Sequence, residues 1–303
     1  MNPKTSRISA SALLLALAAF SLSPVSADSG TTLTHVHGLS FSEDGKKLMI
    51  PSHHGIAVYQ DGTWSKAAGP QHDYMGFATT RDALYSSGHP APGSGLTNPF
   101  GLIKSRDGGK TWQKLGLEGE SDFHTLATSY GTNAVYVLNH QRNSRMDSAG
   151  IYRTRNDGLK WQHADAKGLG PKITSLAVHP TDAATVAAGT DNGLYLSRDS
   201  GDSFERWVAG PQVLAETFDL DGEHLWFSTY GKTPGLSKVA LKPGAQPVEI
   251  KLPPLKEDAV AYIAQNPARP NEIAIATFKR SVYLRKGEGG AWKQIANEGA
   301  TRE

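Results

Sequence analysis

An all-β ring of repeated four-stranded sheets is the fold class this sequence predicts, on three observations. One turn motif recurs: SRDGGKTW (Ser105–Trp112), TRNDGLKW (Thr154–Trp161) and SRDSGDSF (Ser197–Phe204). Around it, apolar residues come in short runs bounded by turn residues, and no stretch keeps helical apolar spacing over three turns. The 32 Gly and 17 Pro residues suit a chain that turns often. The motif copies begin roughly 40–50 residues apart, the length of four short strands with their turns, which is one propeller blade. The expectation is a β-propeller with six four-stranded blades, seven being the alternative, in one domain over residues 28–303.

The N-terminus comes first. Met1–Arg7 carries Lys4 and Arg7, Ile8–Leu22 is rich in Ala, Leu and Ser, and Val25-Ser26-Ala27 has small residues suited to cleavage. Residues 1–27 read as a secretory signal peptide, with an apolar run too short and too Ser-rich for a good membrane anchor. The expected location is periplasmic or secreted, without membrane insertion. No Cys occurs in the chain, so disulfides and Cys-linked lipid are excluded. The chain has 31 basic and 29 acidic residues, and loss of Lys4 and Arg7 leaves it balanced. That balance gives no electrostatic reason to expect nucleic acid as a partner.

Six units follow, approximately Leu33–Lys66, Asp73–Leu115, Asp122–His163, Lys172–Trp207, Leu214–Leu252 and Ala259–Ile295. Each runs strand, turn, strand, Gly-containing loop, strand, motif, strand. The first unit has a shortened motif, YQDGTW (Tyr59–Trp64), the fifth has a decayed copy near Ser237, and the sixth keeps the remnant RKGEGGAW (Arg285–Trp292). The motif's acidic and hydroxyl side chains can bond backbone groups of a tight turn, and its Trp can bury a large apolar area between sheets. It is a folding device on the outer rim. No extra strand is evident at either end to close the ring.

SRDGGKTW resembles the Asp box of BNR-repeat propellers, found in sialidases, sortilin-like receptors and photosystem assembly factors. With HVHGL, SHHGI, MGF, SGHPAPGS and DFH, nearly the whole mature chain resembles secreted bacterial BNR-repeat proteins described as glycosyl hydrolase-like. For a sialidase, that resemblance would imply an Arg triad and a Tyr nucleophile with a Glu partner. The early Arg-Ile-Pro segment is missing, and before Arg106 the mature chain has only Arg81. The expectation is a protein that is not a sialidase and is not primarily an enzyme.

Function is read by aligning the units on one another. The first strands are HVHGLSF, DYMGFAT, DFHTLAT, KITSLAV, LAETFDL and AVAYIAQ, in register at Leu39, Phe77, Leu126, Leu176, Phe218 and Ile263. Two residues earlier stand His37, Met75, His124, Thr174, Glu216 and Ala261. Two earlier again stand His35, Asp73, Asp122, Lys172, Leu214 and Ala259. Residues two apart on a strand share a face. The second strands end at His53, His89, His140, Asp191, Tyr230 and Phe278. In an up-and-down blade these two strand ends lie at one edge, so units one to three bring their histidines to one mouth. His54 and His72 lie one residue from these levels; His163, His179 and His224 read as surface or turn residues.

Converging neutral imidazoles suit copper, zinc or nickel better than calcium or magnesium. Met75 favours copper, with zinc the second choice, because a thioether is a good Cu(I) ligand. The expected metal set is His37, His124 and Met75, completed by His35, His53 or His89, with His54 and His140 nearby. Asp73 and Asp122 would orient ring nitrogens from behind. A single His at a strand end is otherwise an ordinary hydrogen-bonding residue; the match across three units is what carries the metal reading. Two long loops, Ser87–Gly101 and Asn139–Gly150, would wall the mouth. The runner-up is a glycoside hydrolase using Asp73, Asp122 and Glu216 as carboxylates in the same mouth. A third reading is a non-catalytic scaffold for a periplasmic protein partner. The protein is expected to be a monomer.

Overall fold

The computed structural model describes residue 1 and residues 31–170 and 172–301. The expected signal peptide otherwise lies outside the described residues. Residues 31–301 form a six-bladed β-propeller, each blade one antiparallel sheet in sequence order.

Blade one is β1 (Ser40–Phe41), β2 (Leu48–Ser52), β3 (Gly55–Gln60) and β4 (Thr63–Lys66). Blade two is β5 (Asp73–Thr79), β6 (Leu84–His89), β7 (Leu102–Ser105) and β8 (Gln113–Gly116). Blade three is β9 (Leu126–Thr128), β10 (Val135–Asn139), β11 (Gly150–Thr154) and β12 (Gln162–Ala164). Blade four is β13 (Ile173–Val178), β14 (Val186–Thr190), β15 (Gly193–Ser197) and β16 (Glu205–Ala209). Blade five is β17 (Gln212–Phe218), β18 (His224–Tyr230), β19 (Pro234–Ala240) and β20 (Val248–Glu249). Blade six is β21 (Val260–Asn266), β22 (Arg269–Thr277), β23 (Val282–Lys286) and β24 (Trp292–Asn297), extended by β25 (Ala300–Thr301).

The core is divided among the blade junctions. Blades one and two bury Met49, Ile56, Tyr74 and Ile103 between them. Blades six and one bury Ile50, Trp64, Ala274 and Ile295. Four further clusters fill the other junctions. Every blade therefore buries apolar area on both faces, which a single sheet could not do alone.

The recurring motif behaves as the sequence implies. Ser105 Oγ donates to Asp107 Oδ1 (2.8 Å) and accepts from Gly109 N–H, while Asp107 Oδ1 accepts from Thr111 N–H (2.9 Å). Thr154 and Asn156 repeat that net, as do Ser197 and Asp199. Hydrogen bonds from Thr111 lead in holding the Asp107 carboxyl down at about 2. The motif Trp residues reach inter-sheet sites: Trp112 stacks on Tyr74 at 4.9 Å, and Trp64 donates its indole N–H to the Ile295 carbonyl.

Ring closure was not evident in the sequence, and the structure supplies it. Thr32 bridges Ala300, Leu33 N–H donates to Gly299 O, and Thr301 Oγ1 donates to Thr31 O. The N-terminal segment thus pairs with the outermost strand of blade six before the chain enters blade one. The pairing is one bridge long, too short to leave a periodic signal in the sequence.

Candidate metal centre

The aligned apolar residues Leu39, Phe77, Leu126, Leu176, Phe218 and Ile263 line one central channel. His37, His124, Thr174, Glu216 and Ala261 line it too. Five of the six residues at this aligned position, His37 included, therefore line the channel. Met75 is the exception. A bulge between Met75 and Ala78 shifts β5 against β6, so Gly76 lines the channel and Met75 is buried in the blade. A side chain on Gly76 would collide with the Phe123 carbonyl of blade three, so the close approach there requires Gly.

Blade one builds the densest group. His37 N–H donates to the Pro51 carbonyl at 3.1 Å. The reciprocal bond would need an N–H on residue 51, which proline lacks. The ladder between β1 and β2 therefore covers only Ser40–Phe41, and the segment carrying His35 and His37 runs free of it. His53 sits at the β2–β3 turn, before Gly55. Together His35, His37 and His53 each offer a ring nitrogen, all within 4.8 Å of one another. Their rings lie nearly parallel, His35 against His53 at 4.0 Å between centroids and His37 against His53 at 5.1 Å.

Asp73 of blade two faces this trio. Its Oδ1 is 3.7 Å from His37 Nε2 and its Oδ2 is 3.9 Å from His53 Nε2, both beyond hydrogen-bond length. His37 Nε2 and Asp73 Oδ1 are each buried without a hydrogen-bond partner. Leaving such atoms unsatisfied costs about 1–3 kcal/mol each. Burial pushes the His37 imidazole down to about 4, against the attraction of Asp73 and helped by the neighbouring His53, His35 and His124. At neutral pH it is uncharged, the form that binds a metal.

A second group lies at the junction of blades two and three. Asp122 Oδ2 is 2.6 Å from His124 Nε2 and 3.1 Å from His89 Nε2. His89 Nδ1 is 2.7 Å from Asn98 Oδ1, on the long loop expected to wall the mouth. The hydrogen bond that His124 donates to the Asp122 carboxylate raises the His124 imidazole above its ordinary value. Burial alone would raise Asp122, but His124 and His89 outweigh it and hold the carboxyl below the usual range. The other loop, from blade three, donates from Asn143 Nδ2 to Ser121 Oγ and buries Met146.

The expected set of His37, His124 and Met75 is thus not the group found within 4.8 Å; His35 and His53 join His37, and His124 is clasped by Asp122. His54 and His140 are exposed. His72 is buried, accepting at Nδ1 from Ala91 N–H and packing on Phe100. Glu216 is wedged between blades four and five, accepting from the Ser175 hydroxyl and from Gly189 N–H, and burial pushes it up to about 7.

His224, expected as a surface or turn residue, begins β18 and groups with Asp219 and Asp221. That group is already neutralised. Lys238 Nζ lies 2.5 Å from Asp219 Oδ2, and Trp226 donates its indole N–H to Asp219 Oδ1. An ammonium there opposes a second cation.

No protein-family model matches the chain, and no curated protein matches it. Many solved structures do. The GH74 xyloglucanase from Xanthomonas campestris superposes with a TM-score of 0.56 at 16% identity, covering 88% of this chain and 46% of that one. An ancestral GH74 enzyme gives 0.53 at 14%, covering 88% and 39%. The β-propeller domain of Cps50 (Swd1) from Myceliophteria thermophila gives 0.55 at 11%, covering 86% and 85%. This chain spans less than half the length of the two GH74 proteins. At these identities the likeness is one of fold, and the propeller hosts unrelated functions.

Proposed function

We propose that the mouth of the propeller binds a copper ion through His35, His37 and His53, with Asp73 beside them. The observation that carries this reading is the convergence of three imidazole nitrogens within 4.8 Å of one another. The donor chemistry fits. Three neutral imidazoles suit Cu(II), which outcompetes Zn(II) at equal ligands, and zinc is the second choice. The unpartnered His37 Nε2 and Asp73 Oδ1 gain a partner when a cation enters. Asp73 adds one negative charge to a site of otherwise neutral ligands. In a periplasmic or secreted setting, as the N-terminal segment suggests, the role is holding or passing on copper. Blue-copper electron transfer is disfavoured because the chain has no Cys to supply the thiolate.

The hydrolase reading has less support. A glycosidase needs one carboxyl with a raised pKa and a second, ionised one facing the same bond. Asp122 is held ionised between two imidazoles, and Glu216 is enclosed between blades four and five. The test is titration of the purified, untagged chain with Cu(II), followed by metal analysis after desalting. Tight uptake that disappears in a His35→Ala/His37→Ala/His53→Ala variant with unchanged circular dichroism supports the reading. Absence of tight uptake by the wild type removes it.

A further inference from the structure

A recess adjoins the imidazole trio on the side of blade six. It encloses about 350 Å³ and is lined by Thr34, His35, Tyr262, Phe278, Lys279 and Arg280 among others. The central channel has the same volume, and Ala261, Tyr262 and Phe278 line both. His35 lines the recess and His37 lines the channel, so the trio stands where the two spaces meet. Each space lies at the lower end of the ~300–1,000 Å³ range of small-molecule sites.

The walls of the recess specify what fits. Phe278, in the turn between β22 and β23, is 62% exposed. A ring held open beside a cavity offers its face to a flat apolar body. Two cations line the recess and no acidic residue does. Arg280 donates from Nη1 to the Thr34 carbonyl and forms no ion pair among the described residues. Lys279 Nζ donates to the Lys256 carbonyl and stands 4.0 Å from the exposed Glu257. Asp258, the other carboxylate at this turn, is buried and accepts from the N–H groups of Ala259 and Lys279. Thr34 Oγ1 is buried with no hydrogen-bond partner among the described residues. Burial pushes the Tyr262 phenol up to about 12, so it stays neutral and keeps its O–H to donate. Cations beside a metal site oppose the ion, and an anion seated between them and the trio removes that opposition.

We infer that the recess takes a small aromatic carboxylate, its ring on Phe278 and its charged end toward Lys279 and Arg280, so that the copper is held together with an organic anion. The coupling to copper rests on the metal reading of the trio; the recess itself does not. Three imidazoles leave a metal open to a further donor, and an oxygen of the anion can supply it.

The experiment titrates the untagged full chain with salicylate by calorimetry, before and after loading with Cu(II), and follows the loaded form by electron paramagnetic resonance. The neutral analogue 2-hydroxybenzyl alcohol should bind about tenfold more weakly than salicylate. Copper loading should tighten salicylate about tenfold and shift the copper spectrum. Phe278→Ala/Lys279→Gln alters two side chains at the surface, and should weaken salicylate about tenfold with melting temperature and copper uptake unchanged. Copper uptake without salicylate binding, or with binding that the double variant leaves intact, overturns the recess and leaves the metal reading standing. Salicylate that binds equally with and without copper overturns the coupling. Salicylate binding that the double variant weakens, in a chain that takes up no copper, supports the recess and overturns the metal reading.

Discussion

Blades one to three and blades four to six share a backbone plan and differ in what they present at the mouth. At the same three positions the first half carries His35, His37 and His53, then Asp73, Met75 and His89, then Asp122, His124 and His140. The second half carries Lys172, Thr174 and Asp191, then Leu214, Glu216 and Tyr230, then Ala259, Ala261 and Phe278. Both halves bury apolar junctions, and Tyr230 and Phe278 are among the few large exposed apolar side chains of the described residues. The fold needs only the inner apolar ring and the junction residues. The positions above that ring are free of the demands of packing, and in one half of the molecule they carry the histidines.

The strongest way to break that contrast is to remove the trio. His35→Ala/His37→Ala/His53→Ala should abolish tight Cu(II) uptake, measured by competition with a chelator of known affinity, while leaving the melting temperature within a few degrees. A variant that still binds as tightly as wild type would place the metal elsewhere.

The next effect belongs to the other half. Glu216 is pushed up to about 7 by burial, above its ordinary value of 4.5. Between those values the folded protein keeps a proton that the unfolded chain has released. Stability therefore falls as pH rises through that window and levels off above it, by at most on the order of 3 kcal/mol. Glu216→Gln should flatten this slope, seen as a gain in melting temperature over wild type at pH 8 relative to pH 4. Parallel curves for the two proteins would show that Glu216 is not held protonated. Copper affinity should not change.

Asp73→Asn should sharpen the picture on the histidine side. It removes the negative charge beside the trio and keeps the shape, with an expected loss of about 10- to 100-fold in Cu(II) affinity. The smallest effect is a control: Thr174→Ala/Asp191→Ala alters the matching positions of blade four and should leave uptake unchanged. Altered uptake there would mean that the site extends beyond the histidine half.

The ring of blades was legible because its signals are local: the SRDGGKTW turn, its relatives, and apolar residues in fixed register from unit to unit. The gathering of His37 with His53 was legible for the same reason, since strand ends at one edge must meet. What could not be read depends on shifts of a single residue. The bulge that buries Met75 moves it off the channel wall while leaving the composition of β5 unremarkable. The pairing of Asp122 with His124 follows the expectation that Asp122 orients a ring nitrogen, but its second contact, with His89, crosses from blade three to blade two and follows from inter-blade spacing, which no single strand records. The bridge from Thr32 to Ala300 is one residue pair long.

Pro51 has a consequence of its own. A strand partner with no hydrogen to give leaves the innermost edge of blade one unzipped for a few residues. Had residue 51 been any other amino acid, its N–H could have reached the inner segment and carried the ladder on toward His35. One missing hydrogen in the scaffold is thus what leaves that edge open beside the histidines.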